Sequence, residues 1–188
     1  MIVLNTLVGK TPFAEVNRLT EYKDNLYSWT VVGARVLAEK IPGTKLITSG
    51  MDNRNFAKEG EAYLKTIWGQ EWYDLQKRYA SPNFSKEQDA AKKLVAKKLY
   101  KYERGITKKN LLTYLKDHML IVLINPHVIT HSPGTAGHFV VVYGVSGTDF
   151  LIHDPGLPPH EAWNVDQDLF MKAYRGDIIV VPKTNSSV

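Results

Sequence analysis

The stretch that most constrains this chain lies towards its C-terminus, where "MLIVLINP", "HFVVVYGVSGTDFLIHDPG" and "DIIVVP" follow one another. Runs this rich in β-branched and aromatic residues, punctuated by Gly, Pro and Asp, read as strands. The first is continuously apolar, which predicts burial on both faces. The second contains its own turn, "GVSGTD", and is therefore a hairpin. A three-residue loop Val145-Ser146-Gly147 puts glycine where a left-handed residue is wanted. That loop pairs Gly144 with Thr148 and sets His138 directly opposite Asp154, with Cβ atoms ~5 Å apart. A two-residue Ser-Gly loop shifts the register by one and sends the two side chains to opposite faces. A histidine and an aspartate at the mouths of one hairpin are then a structural ion pair, or the base and orienter of a nucleophile–base–orienter set.

Upstream, the text is mostly helical. "IVLNTLV" is a short strand or an extended lead-in. "SWTVVGARVLAEKI" has Val31, Val32, Arg35 and Val36 at helical spacing, with Ser28 as cap and "PGT" as stop. From Asp52 to about Tyr79 the pattern is again helical, weakened or divided at Gly60 and Gly69. Ser85, with Gln88 three residues on, fits a capping box for a long helix ending at Gly105. Thr107 caps another through Leu115, and a short one spans about Asp166–Ala173. Helices first and antiparallel strands last predict an α+β fold, a helical layer packed on one side of a C-terminal sheet. At 188 residues, with no repeat or linker, the chain reads as a single domain 1–188 carrying a helical insertion at about 52–105.

Composition narrows the chemistry. There is no cysteine, so disulfides, thiolate metal sites and a cysteine nucleophile are excluded. The net charge of +5 is mild, and the lysines of "AKKLVAKKLYKY" surround their helix without forming a stripe. That predicts a solvated surface and no nucleic-acid partner. No run approaches the ~18 apolar residues of a membrane span, and no signal peptide is visible, so the expectation is a soluble cytoplasmic protein without a membrane partner.

A nucleophile would decide what the His–Asp pair does. The start of a helix favours an anion through its dipole and free N–H groups, and "NLYSWTVVGARVLAEK" offers Ser28 there. These elements together resemble the papain-like peptidases of the C39 and C39-like group. The similarity rests on a helix-start nucleophile, then "GHFVVVYG", then "HDPG", then a helix with Phe170, Ala173 and Tyr174, and a last strand. It is specific from about Ile121 to Val181, looser before Lys40, and weakest in the helical middle. The resemblance implies a papain-like fold with His138 as base and Asp154 as orienter. It implies a cysteine where this chain has Ser28. It also implies an oxyanion-stabilising glutamine about six residues earlier, where this chain has Tyr22, Lys23, Asp24 and Asn25. A hydroxyl is far harder to ionise than a thiol, and a missing side-chain donor costs ~3 kcal/mol of transition-state stabilisation.

The two departures together point to a weak or inactive relative that binds a peptide or amide ligand in the Ser28/His138/Asp154 cleft. Asn25, Trp29 and Gly137 are the candidate ligand-contacting neighbours, and no cofactor or metal is required. One alternative is a working serine-nucleophile peptidase or amidohydrolase using backbone N–H groups at residues 28–29 as its oxyanion hole. Another is a histidine-rich metal-binding module built on His127, His131 and His153. Trp68, Trp72, Tyr73 and Tyr79 are expected to pack the helical layer, and "GLPPHEAW" is expected to be a rigid loop beside Asp154.

Overall fold

The computed structural model describes residues 9, 11–21, 28–79, 84–156 and 158–183. The expected "IVLNTLV" strand lies outside them. Seven strands form one sheet: β1 (Lys45–Thr48), β2 (Tyr100–Tyr102), β3 (His118–Ile124), β4 (His138–Ser146), β5 (Asp149–Asp154), β6 (His160–Asp166) and β7 (Tyr174–Pro182). Their order across the sheet is β2-β1-β7-β3-β4-β5-β6. Every pairing is antiparallel except β1 with β2, which is parallel. The described helices are α1 (Phe13–Thr20), α2 (Thr30–Lys40), α3 (Asn53–Glu59), α4 (Glu61–Tyr79), α5 (Ser85–Ala96), α6 (Lys108–Leu115), α7 (Pro126–Ile129) and α8 (Gln167–Ala173).

The mixed α and β content agrees with the expected class, but the helices do not share one side. Alternation along the central strands divides the apolar residues into two cores. Leu46, Met119, Val141, Ile179 and Val181 join Val32 and Leu37 of α2, Phe56 of α3, Leu64 of α4 and Leu94 of α5. Ile47, Leu120, Val122, Val140, Val142 and Ile178 join Leu111 of α6, Ile129 of α7 and Phe170 of α8. A central strand apolar on both faces requires cover on both, and β3 has it.

Several local signals resolve differently from their sequence reading. The long helix expected to end at Gly105 stops at Ala96, because Lys98 turns left-handed (φ 57°) and the chain leaves for the sheet. There Tyr100 hydrogen-bonds Thr48 at 2.8 Å and accepts the Asn53 N–H at 2.9 Å, so a tyrosine anchor overrides helix propensity. Phe84 occupies the cap position instead of Ser85, its ring buried against Trp29 and Tyr73. Gln88 reaches the Ala57 carbonyl instead of closing a capping box. The Thr107 cap forms as expected, and Gly60 and Gly69 do divide the middle helices, with φ of 60° and 73°. Trp72 does not pack the helical layer; it is 58% exposed. The tail of "GLPPHEAW" is strand β6, not loop.

Candidate functional site

The hairpin carries the site, but in another register from the one expected. The turn has two residues, Gly147 and Thr148, since Ser146 pairs with Asp149 and Gly144 with Leu151. Gly147 has φ 57° and Thr148 is not left-handed, as a turn with glycine first of the central pair requires. Continued unchanged, that register would send Asp154 to the face away from His138. It does not continue: a one-residue irregularity at Tyr143 brings Val142 opposite Ile152 and Val141 opposite His153. An extra residue flips every side chain beyond it. Asp154 thereby falls level with Val140, and His138, two residues further on, shares its face. They meet diagonally instead of directly, within reach of long side chains.

His138 Nε2 donates to Asp154 Oδ1 in a hydrogen bond. The Gly156 N–H donates to the same oxygen at 2.7 Å, the turn that Asp favours by bonding its own backbone two residues on. A Cβ at Gly156 would lie 3.0 Å from Asp154 Oδ1 and 3.6 Å from His138 Cε1, so "DPG" holds the carboxylate at close quarters. With Nε2 committed to the carboxylate, Nδ1 is the nitrogen left with a lone pair. That is the arrangement in which a carboxylate fixes the imidazole tautomer.

Ser28 is exposed and stands one residue before the helix cap, which is Trp29 in extended conformation. The expected cap role of Ser28 is thus corrected, and the helix-start N–H groups belong to Thr30 and its successors instead of residues 28–29. What fixes the helix start is tertiary: Thr30 Oγ1 donates to Asp177 Oδ2 at 2.6 Å. Ser28 and Trp29 line a cavity of about 310 Å³ whose walls include Phe139 and Pro155, the residues directly after His138 and Asp154. Trp29 also packs Phe56, Trp68 and Phe84 with ring centroids 5.7, 5.5 and 5.1 Å away. Gly137 is exposed, next to Leu123. Asn25, like Tyr22, Lys23 and Asp24, lies outside the described residues.

The histidines do not assemble a metal site. His127 Nδ1 is 2.9 Å from Ser132 Oγ, and His131 sits in a left-handed turn that breaks the i, i+4 spacing. His153 stacks on Tyr143 at 4.5 Å and accepts the Ala162 N–H. Among the described residues no three His, Asp or Glu side chains converge to hold an ion. Sequence reasoning missed Asp177, Thr30 and Gly156. Only Gly156 had a legible signal, the turn-forming "DPG".

Comparison with known proteins finds one family. The model of the Peptidase C39 family matches residues 97–186, from just before β2 past the end of β7. The matched span contains His138 and Asp154 and excludes Ser28. No curated protein and no solved structure matches the chain. No described helix is long and apolar enough to cross a membrane.

Proposed function

We propose that this chain is a C39-like peptidase-fold protein that binds a peptide or amide ligand between Ser28 and the His138–Asp154 pair, with weak or no turnover. The observation that carries the reading is the imidazole held by its Nε2 on Asp154 with Nδ1 left as a base. The C39 family match across that hairpin supports it. On this reading Ser28 takes the nucleophile's position, ahead of the span that the family model matches. In the reaction this arrangement serves, His138 Nδ1 takes the Ser28 proton as Oγ attacks the carbonyl, then returns it to the leaving amine. Strand alternation sets His138 on the face of Val140 and Val142, while α2 packs the other face. Proton transfer therefore has to pass over the end of the sheet, beside Phe139 and Pro155. Slow turnover follows from the hydroxyl and from an oxyanion hole without a glutamine donor.

The test replaces Ser28 with the thiol. Ser28→Cys should react with iodoacetamide at about pH 6, where an unperturbed thiol of pKa ~8.5 is almost wholly protonated. Adding His138→Ala should abolish that fast labelling. Equal rates in the single and double variants would refute activation by His138. Labelling of the natural Ser28 by a fluorophosphonate distinguishes the second reading, a working serine hydrolase, from a dormant one.

A further inference from the structure

We propose that the cavity beside Ser28 is an acyl pocket: it takes the unbranched apolar chain of an amide or ester whose carbonyl lies at Ser28. This rests on the reading of Ser28 as the reacting position and names the substrate class for it. The cavity lies between α1, α2 and the sheet, and its lining is mostly apolar, with Val16, Val36 and Leu37 from the helices and Ile121 and Ile179 from the sheet. Two of the polar side chains in its lining are already engaged, the Thr20 hydroxyl by the Val16 carbonyl and the Thr30 hydroxyl by Asp177, and a peptide backbone loses free energy when buried unpaired.

Its length selects the ligand. Lining residues run along α2 from Thr30 to Leu37, with Ser28 and the extended residue Trp29 just before it. The helical part alone is ~10 Å at 1.5 Å rise per residue, about eight bonds of an extended chain at the ~1.2 Å per bond that covalent geometry gives, and the step back to Ser28 lengthens it to about ten. No apolar amino-acid side chain is that long. The space is also kept open by a residue choice: Gly33 lies in the interior of α2, where glycine is poorer than alanine in a helix. A Cβ there would meet only Ile179 Cδ1, at 3.8 Å, so steric conflict does not demand the glycine. Lys86 lines the same cavity, its Nζ 3.7 Å from Glu87 Oε1 and donating to the Glu21 carbonyl at 3.5 Å, so its cation is already partnered.

In the reaction, Ser28 Oγ bonds the acyl carbon as its proton moves to His138 Nδ1. The bond to the nitrogen or oxygen leaving group then breaks, that atom takes the proton from His138, and water cleaves the acyl-serine to release the acid.

The experiment titrates straight-chain alkanoates of about four to sixteen carbons into the wild type and Ser28→Ala by calorimetry. Affinity should rise about three- to fourfold per added methylene until the chain reaches about ten carbons, then level off, in both proteins. Gly33→Leu should weaken decanoate binding at least tenfold and shorten the length at which affinity levels off. Gly33→Ala, which should keep or raise the melting temperature, should give a smaller shift in the same direction and serves if the leucine variant does not fold. No saturable binding at any length, affinity independent of length, or equally tight binding of N-acetylphenylalanine amide would each overturn the proposal. Because Ser28→Ala reads the pocket alone while fluorophosphonate and iodoacetamide labelling read the reacting group, the two readings fail separately.

Discussion

Thr30 and Asp177 show how one carboxyl group sets the entry of a helix. Desolvation pushes the Asp177 carboxyl up to about 6, with the Thr30 hydroxyl opposing that rise. In the unfolded chain the same group titrates near 3.8. Between those values the folded protein holds a proton that the unfolded chain has released, so stability falls as pH rises through roughly 4 to 6. The full effect is at most about 3 kcal/mol, since part of the side chain still meets solvent. Asp177→Asn keeps an acceptor for Thr30 and removes the titration. Its melting temperature should exceed the wild type's at pH 8 and converge on it at pH 4. Parallel curves for the two proteins across that range would show that Asp177 is not the group responsible.

At the scale of elements, the hairpin decides the site, and its geometry depends on a turn and an extra residue together. Gly147 at φ 57° supports the turn, and an L-residue there costs about 1–2 kcal/mol. Gly147→Ala should therefore lower stability in urea denaturation by about that amount. Deleting Phe139 should do something different: it leaves Asp154 level with Val140 but moves His138 up one position, onto the opposite face. In a Ser28→Cys background that deletion should slow low-pH labelling much more than Gly147→Ala does. Comparable slowing in both would mean that the shared face of His138 and Asp154 does not control the labelling. The same hairpin marks how much was legible. The strands, the two candidate residues and the Thr107 cap follow from periodicity and residue type. The register did not, because two compensating departures, a shorter turn and a one-residue step, leave no trace in hydrophobic alternation. Likewise Thr48–Ser49 against Gly176, and Tyr100 against Thr48, are contacts between segments far apart in sequence, so β1 and β2 went unseen. Short edge elements take their structure from partners rather than from propensity.

At the scale of the whole molecule, the question is whether the span that matches the C39 family can stand by itself. The sheet argues that it cannot. β1 lies between β2 and β7, pairing parallel with the first and antiparallel with the second. Removing residues 1–96 takes β1 away, separates β2 from the sheet and leaves the β7 edge open, a template for pairing with other chains. It also removes α2 to α5, which cover Met119, Val141, Ile179 and Val181. The second core survives except for Ile47 of β1, since Leu111, Ile129 and Phe170 all lie within the matched span. A fragment of residues 97–188 thus retains one apolar layer and exposes the other, together with an unpaired strand edge. It should retain strand signal in far-ultraviolet circular dichroism, bind a hydrophobic dye, associate on gel filtration and melt without a cooperative transition. Addition of a separate 1–96 fragment should restore cooperativity if the layers recognise each other. A monomeric 97–188 fragment with dispersed amide resonances and a sharp melt would overturn the expectation. It would make the hairpin half an autonomous domain, with α2 and Ser28 an appended layer rather than half of one core.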